Sequence, residues 1–272
     1  DYTNEYAITP ENISLNGTIN TDNIIVNYYY KKKATITVNY YKEGTTEKLA
    51  DSDTLIKYYG DTYDLSTNEY KNKITIPSKY EYSSVNPSNE VKGTLNKDTI
   101  IVNYYYKLKK SKIIINYYKE GTTEKLADTT TLNQTYYDKY DVTSYKDNEN
   151  ISTDYKYVNY TSTPENAISG TVSQDVITIN YYYALKDATI NIKYLDELTN
   201  KSILNEENIQ TKYGVEYGSL NLDSYKKEIT RYDYSKTETT PKDITGKINQ
   251  DTTTIIHYYK KKSNITINYI DK

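Results

Sequence analysis

Apolar and polar side chains alternate over short stretches of this chain, and the alternation returns in the same phase. Over residues 34–41, Ile36, Val38 and Tyr40 fall on one side while Thr35, Thr37, Asn39 and Tyr41 fall on the other. Ile113, Ile115 and Tyr117, then Ile190, Ile192 and Tyr194, then Ile265, Ile267 and Tyr269 keep the pattern. A period of two is that of a strand with one buried face. After the first of these strands, Gly44 within residues 43–46 predicts a turn. A second strand is expected through Lys57, then a turn over "YGDTY" (59–63) and a short helix over 66–73 with Ser66 or Thr67 as its N-cap. A third strand around Tyr80 and Tyr82, a loop over 87–93 and a last strand over 99–107 complete the pattern. The expected class is mostly β, α+β at most.

The last strand carries the "NYYYK" motif. Alternation puts Tyr28, Tyr104, Tyr181 and Tyr258 on the core face and Tyr29, Tyr105, Tyr182 and Tyr259 on the outward one. The third tyrosine is expected where one unit hands over to the next.

The units themselves come from repetition. "NYYKEGTTEKLAD" stands at 39–51 and again, unchanged, at 116–128, and "KYLDELTNKSILN" begins at Lys193. Asn27, Asn103, Asn180 and His257 are read as equivalent, as are Pro10, Pro87, Pro164 and Pro241. Three whole repeats follow, at 34–110, 111–187 and 188–262. The C-terminal half of another precedes them (1–33), and the first strand of a further one closes the chain (263–272). With no initiator methionine and no signal peptide, the chain reads as an internal segment of a longer array.

Composition narrows the chemistry. Only 36% of the residues are hydrophobic, so any core is small or divided among small units. Cysteine is absent, which excludes disulfides and thiolate metal sites. All 37 aromatic residues are tyrosine, which suits thin sheets whose rings keep a wet edge. Net charge is −3 with lysines and acids mixed, against the basic face of a nucleic-acid binder. No apolar run is long enough to span a bilayer.

Each repeat resembles the MucBP (mucin-binding-protein) repeat of surface proteins from Gram-positive bacteria. The resemblance rests on "ITVNYYKEG" (36–44) and "INIKYLDE" (190–197). It rests also on the G-x-x-Y turns at Gly60 and Gly214, the strand tyrosines Tyr80, Tyr157 and Tyr234, and the glycines Gly93, Gly170 and Gly246. In the middle repeat Tyr137 stands where the turn glycine belongs, and the third repeat lacks the glycine after its first strand. The resemblance implies small β-grasp, ubiquitin-like modules whose first and last strands lie parallel in mid-sheet, stacked end to end as an elongated rod. It also implies an extracellular, cell-wall-anchored location.

No catalytic constellation repeats. The one histidine, His257, sits in a place read as asparagine elsewhere, so catalysis is not expected. Asp51 and Asp53 read as carboxylates of a solvated turn, short of the oxygens calcium needs, so neither metal nor cofactor is expected. Outward tyrosines with neighbouring amides could stack on sugar rings, and the candidates are Tyr29, Tyr41, Tyr105, Tyr118 and Tyr182 with Asn39 and Asn116. Two functions fit: a stalk that projects an adhesive region and adds weak multivalent adhesion, or an adhesin repeat that binds mucin-type glycans or host glycoproteins directly. No obligate oligomer is expected.

Overall fold

The computed structural model describes residues 6–8, 18, 22–23 and 30–271. Tyr28 and Tyr29, read above as a core and an outward tyrosine, lie outside the described residues, as does most of 1–33. By contact density the chain forms two compact units. One is Asp1–Lys112 with Asn133–Lys139 and Thr171–Asp175; the other is Ile113–Leu132, Tyr140–Gly170 and Val176–Lys272.

The first unit holds a mixed sheet built from a first strand (Tyr30–Lys42), a second (Lys48–Tyr58), a third (Tyr80–Asn86) and a last (Thr99–Leu108). Their spatial order is second, first, last, third, and Tyr6–Ile8 adds an antiparallel pairing to residues 30–32. First and last strands run parallel, with Val38 opposite Val102 and Tyr40 opposite Tyr104. The inner face buries Ile36, Val38, Tyr40, Ile100, Val102, Tyr104 and Tyr106 against Leu65, Tyr70 and Leu95 of the covering connections. The outer face is polar and partly exposed, with Asn39 buried among its neighbours, close to the division that strand alternation demands.

Those coverings explain the tyrosines. The helix is only Asn68–Lys71, and Thr67 holds the N-cap position without a side-chain bond. Such irregular backbone leaves carbonyls without ladder partners, and buried carbonyls need donors. The Tyr104 hydroxyl donates to the Leu65 carbonyl and Tyr106 donates to Tyr70 at 2.9 Å. Phenylalanine would fill the space and leave both carbonyls bare. The wet-edge reading is thereby corrected: these hydroxyls serve the protein's own backbone. The third tyrosine of the motif is corrected too, since Tyr106 is buried in the core and does not sit at a hand-over.

The second unit contains most of a second sheet and all of a third, both in the same strand order. In the second sheet Ile113, Ile115, Tyr117, Ile177, Ile179, Tyr181 and Tyr183 are buried. Tyr181 donates to the Val142 carbonyl, and Tyr183 to Lys146 at 2.7 Å. The third sheet pairs its first strand, Asp187–Asp196, in parallel with its last, Thr252–Lys261. Here the reading from sequence slips by one residue. Tyr194 lies opposite His257, as Tyr40 lies opposite Tyr104, so His257 takes a tyrosine's place and not an asparagine's. Thr253, Ile255, His257 and Tyr259 are buried, whereas Tyr258 is half exposed. Tyr258 is therefore an outward residue and Tyr259 a core one. The cause is a third repeat one residue shorter before this strand; counting from Asp98, Asp175 and Asp251, each six residues before the core ring, keeps register.

Backbone chemistry at the turns is shared where residues are not. Gly60 and Gly214 adopt φ of 87° and 77°, and Tyr137 holds the same turn at 73°. In the third repeat Asn200, at φ 53°, supplies the left-handed residue that Gly44 and Gly121 supply elsewhere. Residues 263–271 form no strand, and Ile265, Ile267 and Tyr269 are exposed. The other first strands pair with second and last strands that follow them, and no such partners for 263–271 lie among the described residues.

Candidate functional site

The outward face of the first sheet assembles three of the predicted residues. Parallel pairing sets the segment Val38-Asn39-Tyr40-Tyr41 beside the identical Val102-Asn103-Tyr104-Tyr105, like against like. The Asn39 amide donates to the Asn103 side-chain oxygen at 2.8 Å, and Ser52 donates to the Asn39 oxygen at 2.6 Å. One step along, the rings of Tyr41 and Tyr105 lie 6.2 Å apart. The second sheet copies this face. Asn116 donates to Asn180 at 2.9 Å, Thr129 donates to Asn116 at 2.8 Å, and the Tyr118 and Tyr182 rings are 6.1 Å apart. Tyr29 lies outside the described residues. All four described tyrosines of these pairs are partly exposed, so each pair is a solvent-facing aromatic patch on its own sheet. Each pair also steadies its sheet by roughly 0.5–1 kcal/mol, as cross-strand aromatics do.

Sequence reasoning missed the partners Asn103 and Asn180. Their signal was available, because "NYY" occurs in both strands and a parallel register aligns the copies. The third sheet breaks the ladder: Lys193 faces Ile256 and Leu195 faces Tyr258. Lys236 sits over the Tyr258 ring at 4.9 Å from its centroid.

Beside the first pair, a shallow cleft, wide open to solvent, lies between Tyr105, Ser84 and the turn of Glu43, Gly44, Thr45 and Thr46. Glu43 is fixed by its own N–H bond to the Tyr106 carbonyl (2.8 Å) and by Ser83, which donates to its carboxylate at 2.5 Å. The adjacent Lys42 is engaged by Glu47 at 3.3 Å.

On the opposite, inner side lies a polar cluster that the sequence reading placed in a solvated turn. Asp53 belongs to the second strand, accepts the Tyr40 hydroxyl and pairs with Lys73. Burial pulls the Asp53 carboxyl up, but Lys73 and Tyr40 outweigh it and hold the carboxyl below its ordinary range. Burial, with the bond to Asp53, drives the Tyr40 hydroxyl well above the usual tyrosine range. The third sheet rebuilds this with Tyr194, Glu207 and Lys227, while Thr130 takes the carboxylate's place in the second. Among the described residues no group of three or more His, Cys, Asp or Glu could hold a metal ion, and no helix is long and apolar enough to cross a membrane.

The MucBP domain matches this chain three times, at residues 35–107, 112–184 and 189–260. The chain belongs to the MucBP domain family. Solved structures similar to this MucBP chain include the Bacillus anthracis TIE protein, with 12% identity and a TM-score of 0.38 over 85% of this chain and 51% of that one. The chain thus spans about half the length of that structure. The type 2 repeat of the mucus binding protein MUB from Lactobacillus reuteri is 14% identical, with a TM-score of 0.24 over 84% of this chain and 99% of that one. No curated protein matches the chain.

Proposed function

We propose that these MucBP repeats form an extended stalk on the outside of a Gram-positive cell, anchored to its wall. The stalk projects an adhesive region and adds weak adhesion of its own through the outward tyrosine pairs. The observation that carries the stalk is topological. In each sheet the first and last strands are neighbours, and where they run parallel the chain enters at one end of the sheet and leaves at the other. β-grasp modules joined by single residues such as Lys109 and Lys186 would then follow one another as a rod. Separate cores behind each sheet suit modules added by duplication. The outward tyrosine pairs support the adhesive part, and the mucus-binding description of the MUB repeat makes mucin glycans the first ligand to try.

The test is binding of the whole chain to a mucin-coated surface, free in solution and then coupled in many copies to a bead. Weak binding in solution that rises by two or more orders of magnitude on the bead is expected of multivalent low-affinity contacts. Tight binding by the free chain would favour the second reading, a dedicated adhesin repeat. No binding in either format would leave the stalk alone.

A further inference from the structure

We infer that the cleft beside Tyr105, and the equivalent position beside Tyr182, are subsites for an uncharged hexopyranose unit of an oligosaccharide, and that the third repeat has none. The inference rests on the weak-adhesion part of the function proposed above and gives it a ligand class and a valency of two.

The cleft joins the elements a sugar ring needs. Tyr105 offers a ring beside the opening and is backed by Tyr41, so its position is set before any ligand arrives. A pyranose presents C–H groups on one face, which suit an aromatic plane, and hydroxyls around its rim. Glu43, Thr46 and Ser84 line the rest of the cleft and supply acceptors and hydroxyls for that rim. The turn that carries them is preorganised. Thr45 N–H donates to the Lys42 carbonyl at 3.1 Å, and Glu47 N–H donates to the Thr45 hydroxyl at 3.1 Å.

Charge selects among sugars. No lysine or arginine lines the cleft, and Glu43 puts a carboxylate in it. A sialic acid or sulfate there would meet like charge with no cation to offset it. A neutral hexose meets no opposing charge and can bond both the carboxylate and the hydroxyls.

The second repeat has the same turn and ring pair, with Val158 in place of Ser83. Glu120, Gly121, Thr122 and Thr123 repeat the turn residues, with Glu120 N–H bonded to Tyr183 at 2.8 Å and Lys119 engaged by Glu124 at 3.2 Å. Asn159 stands opposite Tyr182 as Ser84 stands opposite Tyr105. In the third repeat Leu195 replaces the backing tyrosine, Lys236 occupies the face of Tyr258, and Lys260 reaches Glu197 at 3.5 Å.

The experiment uses the full chain on surfaces bearing polymer-linked N-acetyllactosamine, its sialylated form, and whole mucin. The neutral conjugate is expected to bind and the sialylated one to bind about tenfold more weakly, with Glu43→Gln narrowing that gap, as removal of a like charge should. Tyr105→Ser with Tyr182→Ser should lower binding to the neutral conjugate at least about tenfold by removing both sites. Tyr105→Phe with Tyr182→Phe, which keeps the rings, should retain it. Tyr258→Ser should change nothing. Equal or better binding of the sialylated conjugate, or an equal loss on Tyr258→Ser, would overturn the inference. Mucin binding without binding of either conjugate would overturn it and leave the adhesive reading standing. Failure of all three surfaces would remove both.

Discussion

Replacing Tyr104 by alanine removes much of the first sheet's stability, whereas replacing its neighbour Tyr105 leaves that stability nearly intact. Tyr104, on the last strand, is fully buried, its ring near Tyr40 of the first strand at 6.2 Å and Tyr82 of the third at 5.8 Å. Removing an aromatic ring from a packed core costs about 3–5 kcal/mol. A module of this size has roughly 4–11 kcal/mol in all, by the usual stability per residue. Burial also pushes the Tyr104 hydroxyl up to about 12, so it stays a donor to Leu65 at every working pH. Tyr104→Phe keeps the ring and leaves that carbonyl bare, a loss of about 1–3 kcal/mol. Tyr105 lies on the outward face among Tyr41, Ser84 and the turn of residues 43–46, with no core contact to lose, and Tyr105→Ala costs under about 1 kcal/mol. Hydrogen exchange read peptide by peptide separates the three variants. Protection of Thr99–Leu108 should collapse in Tyr104→Ala, weaken in Tyr104→Phe and hold in Tyr105→Ala, while Val176–Leu185 keeps its protection throughout. Equal losses for Tyr104→Ala and Tyr105→Ala would show that the burial pattern is wrong.

Mild acid loosens the third sheet and spares the others. His257 is 2% exposed; its Nδ1 lies 2.7 Å from the Thr237 hydroxyl, and its Nε2 is buried without a partner. Tyr194 and Tyr234 flank the ring, at 5.8 and 6.3 Å. Burial first, and Lys226 second, hold its pKa below the ordinary histidine value, with Asp223 opposing weakly. The unfolded chain, titrating near 6.5, therefore takes up this proton more readily than the folded one. Stability is complete above that value and falls as pH drops from about 6.5 toward the depressed folded pKa. This is the chain's only histidine, and carboxylates such as Asp196, Glu197 and Glu207, which are held low, act at more acid pH. Between pH 7 and 5, protection of Thr252–Lys261 should decline after correction for intrinsic exchange, and Thr99–Leu108 should not change. His257→Phe, which puts an apolar ring where the other sheets bury tyrosine, should abolish the decline. A decline that survives His257→Phe would place the titrating group elsewhere.

The strand periods were legible from alternation alone, because a sheet with one dry face and one wet face writes that division into every second residue. Ile36, Val38 and Tyr40 and their copies in the second and third repeats were placed correctly on that basis, whereas Ile265, Ile267 and Tyr269 were not, being exposed and outside any strand. Register between strands far apart in sequence was not legible by a fixed repeat length, and one missing residue exchanged the roles of Tyr258 and Tyr259. The covering segments were harder still. The few-residue helix over 68–71 becomes 3-10 turns at 143–147 and 217–220, so no helical period could reveal it. Its unpaired carbonyls are what the core tyrosines satisfy, which is why a residue type first read as surface-tolerant is the main core ring. The candidate face was half legible: Tyr41, Tyr105 and Asn39 were chosen singly, and only the parallel pairing brought them together and added Asn103 and Glu43.

Small-angle scattering from the whole chain tests the stalk most directly. Modules that each advance the chain by roughly 35–45 Å, the reach of a strand and its turns, give a maximum dimension beyond ~100 Å. A compact chain of 272 residues would instead have a radius of gyration of about 19 Å. An extended profile with a cross-section set by one sheet and its covering is the expected result; a compact globule would contradict the stalk.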